Sequence, residues 1–77
     1  MNIYSLTRPA GTIGYDEAAG FVVVASSSKE AREIAANNRG DEGSAMWLEA
    51  DRTTCQKIGT ASLSQKAGKV LRDFRAG

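Results

Sequence analysis

The chain has 77 residues, with no histidine and only one cysteine, one proline and one tryptophan. Without histidine it lacks the commonest general base, the commonest activator of a nucleophile and the commonest transition-metal ligand. Cys55 therefore has no imidazole partner and reads as a small buried apolar side chain, not a nucleophile. A single thiol cannot staple the fold internally, which suits a reducing cytoplasm. One thiol and no imidazole also cannot build a zinc site. No apolar run approaches the roughly 20 residues that span a bilayer. Met1 is followed by polar Asn2 with no signal-like region, so no leader is expected. Nor does any stretch read as an amphipathic, membrane-seeking helix with bulky apolar residues.

What remains is an ordinary globular composition, 42% hydrophobic and 25% charged, with a net charge of +1. Residues 1–77 are read as a single domain. A chain this short buries only about 60% of its unfolded surface, which leaves no apolar volume for a deep substrate cavity. Residues 1–51 carry four basic and eight acidic side chains, and residues 52–77 carry six basic and one acidic. Such a split can steer a charged partner to one face. Antiparallel pairing is instead expected to mix the two halves.

Residues 3–8 alternate, with Ile3, Ser5 and Thr7 on one side and Tyr4 and Leu6 on the other, and read as a first strand ended by Pro9. A glycine-containing loop over residues 9–20 leads to a second strand at 21–25, Phe-Val-Val-Val-Ala, whose continuous apolar run predicts a central position under a helix. Ser27 and Glu30 have the spacing of a capping box, in which Glu30 reaches back to the Ser27 amide. A helix over residues 28–38 then presents a narrow, alanine-rich stripe at Ala31, Ile34 and Ala35 and lies close to the sheet. Its outer face is expected to show Glu30, Arg32 and Glu33, and Gly40 to stop it in a left-handed conformation.

Residues 45–48 read either as one helical turn or as a packed loop, with Trp47 as a core plug or, alternatively, an aromatic anchor for a partner. A third strand spans residues 53–60, with a bulge expected because Cys55 and Ile58 fall on opposite faces. Leu63, Ala67, Val70, Leu71 and Phe74 follow a helical stripe, but Gly68 interrupts it and residues 69–75 also suit a strand.

The carboxylates occur in pairs: Asp16 with Glu17, Asp41 with Glu42, and Glu49 near Asp51. None has calcium-loop spacing, and no metal or other cofactor is expected. The Gly40-Asp41-Glu42-Gly43 segment is acidic, lacks a following lysine and would repel a phosphate. Lys66, Lys69, Arg72 and Arg75 are the only basic cluster. As a strand they divide, with Lys69 and Arg75 on one face and Arg72 on the other, which disfavours direct nucleic-acid binding. Phe74 among them reads as core, not as a platform for base stacking.

Several segments together carry a resemblance: Gly14-Tyr15-Asp16-Glu17, Val22-Val23-Val24-Ala25, Glu30-Ala31-Arg32-Glu33-Ile34-Ala35, Gly40-Asp41-Glu42-Gly43 with Trp47, Thr54-Cys55, Ile58-Gly59-Thr60-Ala61, and Val70-Leu71-Arg72-Asp73-Phe74-Arg75-Ala76-Gly77. The chain is similar over nearly its whole length to a group of very small proteins carried by phages, prophages and bacteria. In that group a Tyr-Asp loop precedes a valine-rich strand and a capped helix, and the chain ends in a Phe-x-Ala-Gly strand. Residues 62–67 depart from the group's more usual Pro-Gly-rich turn. Some tiny phage-borne proteins are anti-CRISPR inhibitors, and the resemblance implies a non-enzymatic inhibitor acting in the host bacterial cytoplasm. Its partner would be a protein subunit of a type I CRISPR surveillance complex.

The expected architecture is one α+β domain, an antiparallel sheet of about four strands in ββαββ order with one helix on one face. The expected partner-binding residues are Tyr15, Asp16, Glu17, Asp41, Glu42, Glu49 and Asp51. The alternative function is a small DNA-binding or regulatory accessory protein using Lys66, Lys69, Arg72 and Arg75.

Overall fold

The valine-rich run is the middle of the structure. In the computed structural model, which describes residues 1–9, 11–62 and 64–75, it belongs to a longer strand, β2 (Glu17–Ala25). The other elements are β1 (Asn2–Thr7), α1 (Ser28–Asn37), a single turn α2 (Ala45–Leu48), β3 (Thr54–Thr60) and β4 (Gly68–Arg75). The four strands form one sheet in the order β3-β1-β2-β4, with every neighbouring pair antiparallel. The fold is α+β, with α1 packed against the sheet. The central strands come from the first half of the chain and both edges from the second, so the two charge halves are interleaved as expected. Leu63 of the alternative helical stripe, and Ala76 and Gly77 of the Phe-x-Ala-Gly end, lie outside the described residues; residues 68–75 are strand.

Strand alternation sorts the sheet into two faces. Tyr4 and Leu6 of β1, and Ala18, Phe21, Val23 and Ala25 of β2, point toward α1 and form the core with Ala31, Ala35 and Ala36. Of the expected stripe, Ala31 and Ala35 are buried, while Ile34 is half-buried and Ala36 takes a buried place beside them. Trp47 is fully buried and meets Phe21 edge-to-face, with ring centroids 4.8 Å apart. Such a pair adds about 0.5–1.5 kcal/mol beyond its buried area. Among the described residues, no helix packs on the opposite face. There Val24 is buried, Ile3 and Val22 are half-buried and Leu71 is exposed.

Several local expectations need correction. Ser27 accepts the Glu30 amide at 3.2 Å, but the Glu30 carboxylate reaches one residue further back, to the Ser26 amide at 2.7 Å and its hydroxyl. Gly40 is not in the left-handed region; Gly11, Gly43 and Gly68 are. The helix ends instead on the Asn38 amide and on the Asn38 and Arg39 side chains, which donate to the carbonyls of Ile34, Ala35 and Ala36. Gly40 is required for space: a side chain there would strike the Asp16 carbonyl and the Phe74 ring.

Arg32 does not face outward. Its guanidinium donates to the Trp47 and Glu49 carbonyls, and to the hydroxyl and carbonyl of Thr53, tying the α2–β3 connection to α1. The bulge in β3 falls at Ile58, and β4 has one at Val70. That second bulge alters the basic pattern. Lys69 opposes Val23 and Arg72 opposes Phe21, so both lie on the α1 side and not on opposite faces.

Candidate functional site

The connections at one end of the sheet converge because β1 ends there, β2 begins there and α1 returns to it. Residues 11–16 are braced by Arg8, whose side chain is only 2% exposed. Its guanidinium pairs with Glu17 at 2.9 Å and donates to the carbonyls of Ala18 and Thr12. Glu17 also accepts the Gly14 amide at 2.8 Å. That backbone hydrogen bond, followed by the Arg8 pairing, holds the Glu17 carboxyl below its ordinary pKa. Glu17 is thus a brace for its loop.

The second acidic loop is fastened to the first. The Asp41 amide donates to the Asp16 carbonyl at 2.7 Å, with Gly40 packed against the same carbonyl. Asp16 has a φ of 59°, a left-handed conformation that aspartate tolerates better than most residues. Glu42 turns inward. One carboxylate oxygen accepts the Ala18 and Gly40 amides at 3.0 and 2.9 Å, and the other accepts the Trp47 indole N–H at 2.5 Å. Glu42 thus ties the start of β2, the second loop and the core tryptophan together.

The seven expected partner-binding residues therefore separate into three groups. Tyr15, 74% exposed, Asp16 and Asp41 form one surface on the joined loops. Glu17 and Glu42 support it from beneath. Glu49 and Asp51 lie apart, on the connection into β3, where Glu49 pairs with Arg52 at 3.2 Å on the surface. The sequence reading missed the Phe74 and Arg72 border of the surface. Phe74 is not core: it is 37% exposed beside Gly40, and the Arg72 guanidinium lies over its ring, 4.0 Å from the centroid. Arg72 Nε is buried with no hydrogen-bond partner among the described residues. The Phe74–Arg72 spacing is the signal that could have flagged the pair, since alternate strand residues share a face.

The basic residues in and just before β4 do not make one compact patch. Gly68 opposes Val24 at one end of the sheet and Arg75 opposes Glu17 at the other, so Lys66 and Arg75 are separated by the length of the strand. Burial raises the Cys55 thiol above its ordinary pKa, partly offset by nearby Arg32, which leaves less thiolate at neutral pH. Among the described residues, no three Cys, Asp or Glu side chains come together as a metal site, and no helix is long and apolar enough to cross a membrane. A groove of about 530 Å³ between α1 and α2 is lined by Glu33, Asn37, Arg39 and Ser44 along with Ala36 and Leu48.

No protein-family model, curated protein or solved structure matches the chain.

Proposed function

We propose that the protein is a non-enzymatic, phage-type inhibitor that binds a protein subunit of a type I CRISPR surveillance complex in the host cytoplasm and blocks target-DNA binding. The observation that carries this reading is the joining of two acidic loops, which presents Tyr15 with Asp16 and Asp41 on a braced base. A stoichiometric inhibitor needs such a pre-ordered surface, because ordering a loop on binding costs affinity. Tyrosine is an enriched interface anchor, and carboxylates beside it match the arginine-rich surfaces that hold nucleic acid. The similarity to small phage-borne proteins supports the choice of partner. The net charge of +1 argues for local acidic contact, not for mimicry of a whole DNA duplex.

A second reading, a DNA-binding accessory protein, draws on the bulge that brings Lys69 and Arg72 to one side. The two are separated by direct measurement. The inhibitor co-elutes with a purified type I complex and abolishes its retention of target DNA. Tyr15→Ala and Asp41→Arg each weaken that effect at least about tenfold while leaving the thermal midpoint in place. Absence of co-elution with any type I complex, or full inhibition by both variants, overturns the proposal. Salt-sensitive retention of DNA by the isolated protein, weakened by Lys69→Glu, would favour the accessory reading instead.

A further inference from the structure

We infer that the free edge of β4 over residues 71–75 is a docking edge, where an extended acidic segment of a partner protein adds as a fifth strand to the four of the sheet. Among the described residues β4 pairs with β2 alone, so its other side carries backbone groups with no ladder partner. The register identifies them. The Arg8 amide donates to the Ala19 carbonyl, and in an antiparallel ladder every second pair is hydrogen-bonded. Phe21 and Val23 therefore turn their backbone groups to β1, while Gly20 and Val22 turn theirs to β4, where they meet Asp73 and Leu71. Ala18, opposite Phe74, gives its amide to Glu42 and its carbonyl to Arg8. The amides and carbonyls of Arg72 and Phe74 are left facing outward on alternate residues, the spacing at which an added strand pairs.

The other edge is a poorer match. β3 is broken by the bulge at Ile58, whereas the bulge at Val70 sits near the start of β4 and leaves residues 71–75 continuous. The β4 edge also carries exposed apolar side chains, with Val70 and Leu71 60% and 59% exposed, and it contains no proline.

Charge selects the occupant. Lys69 and Arg72 lie on the α1 side, and neither makes an ion pair among the described residues. A strand with carboxylates on that side supplies both with cross-strand partners, and its alternate apolar residues fall on the side of Leu71. A second copy of β4 fits badly. Self-pairing centred on Arg72 or on Asp73 sets like charges opposite each other, and centred on Leu71 it runs into the bulge.

The test is amide hydrogen exchange of the full chain, read by NMR, with a capped peptide of alternating glutamate and valine about seven residues long. At up to about 5 mM, a range suited to a short peptide that is ordered only on binding, exchange at Arg72 and Phe74 should slow at least about fivefold. Leu71 and Asp73, already bonded to β2, should not change. The same peptide with lysine for each glutamate should protect neither Arg72 nor Phe74. Arg72→Glu, checked for native circular dichroism, should remove the protection at Phe74, with Lys69→Glu as the second variant should the first fail to fold. Unchanged exchange at Arg72 and Phe74 in wild type overturns the inference, as does equal protection by the lysine peptide or in the folded glutamate variant. Protection that rises with protein concentration in the absence of peptide overturns it too, in favour of self-pairing. No CRISPR complex enters this experiment, so it can fail while the inhibitor reading stands, and the reverse.

Discussion

Asp41 and Glu42 are adjacent acids in one loop, and the structure gives them opposite consequences on mutation. In Glu42→Ala three donors lose their acceptor: the amides of Ala18 and Gly40 and the indole N–H of Trp47. Hydrogen bonds to a charged group contribute about 1.5–3 kcal/mol each, and a buried donor left unpaired costs about 1–3 kcal/mol. Gly40 is half-buried, and water can replace part of its loss. The buried Ala18 and Trp47 donors cannot be rehydrated without opening the core. The expected destabilisation is about 3 kcal/mol. A 77-residue domain has only about 4–12 kcal/mol in total, so this is a large fraction of its stability. The midpoint of thermal unfolding should fall by about 12–24 °C. Asp41→Ala removes an exposed side chain, keeps its amide bond to Asp16, and should change stability by less than about 0.5 kcal/mol. Urea denaturation of both variants, with Trp47 fluorescence as the probe, measures the contrast. If Glu42→Ala shifts stability no more than Asp41→Ala does, the inward role of Glu42 is wrong and with it the account of how the site is braced.

Two further outcomes follow from the same end of the sheet. Gly40→Ala forces a methyl group against the Asp16 carbonyl and the Phe74 ring; backbone cannot yield as a side chain can, so urea denaturation should show a loss of about 1–3 kcal/mol. Glu17 has a lowered pKa in the folded protein, so its stabilisation is present above the ordinary glutamate value and is lost as pH falls through the folded value. Acid denaturation should therefore include a Glu17 step that shrinks in Arg8→Met and in Glu17→Gln; an unchanged acid profile in both would show that the Arg8–Glu17 pair does not govern it.

Much of the scaffold was legible in residues 21–38. A run of five apolar residues marked a central strand lying under a helix, and Ser27 with Glu30 starts a helix by local hydrogen bonding alone. The alanine stripe then fixed which helix face meets the sheet. Trp47 could be assigned to the core because its size leaves a small domain few other places for it. The third strand and its bulge followed from the misfit of Cys55 and Ile58 to a single alternation. What failed were inferences that assumed an unbroken period. The bulge at Val70 moves Lys69 and Arg72 to one side, and bulge position depends on the partner strand, not on the segment itself. Arg32 and Gly40 were misread for a related reason. Each answers to a segment distant in sequence, Thr53 for Arg32 and Asp16 for Gly40, and nothing in their own neighbourhood reveals it.

The sequence by itself determined the first three strands, the main helix and its start, because those depend on periodicity and on hydrogen bonds within a few residues; whether residues 45–48 were a helical turn and residues 69–75 a strand was left to the tertiary structure. It also placed acids in loops. Only the tertiary structure decided which acids stay at the surface. Asp16 and Asp41 stay at the surface, while Glu17 and Glu42 turn inward to amides, an arginine and an indole that folding brings from elsewhere in the chain. A carboxylate's role is set by the donors it meets, and those donors are assembled only when the chain is folded.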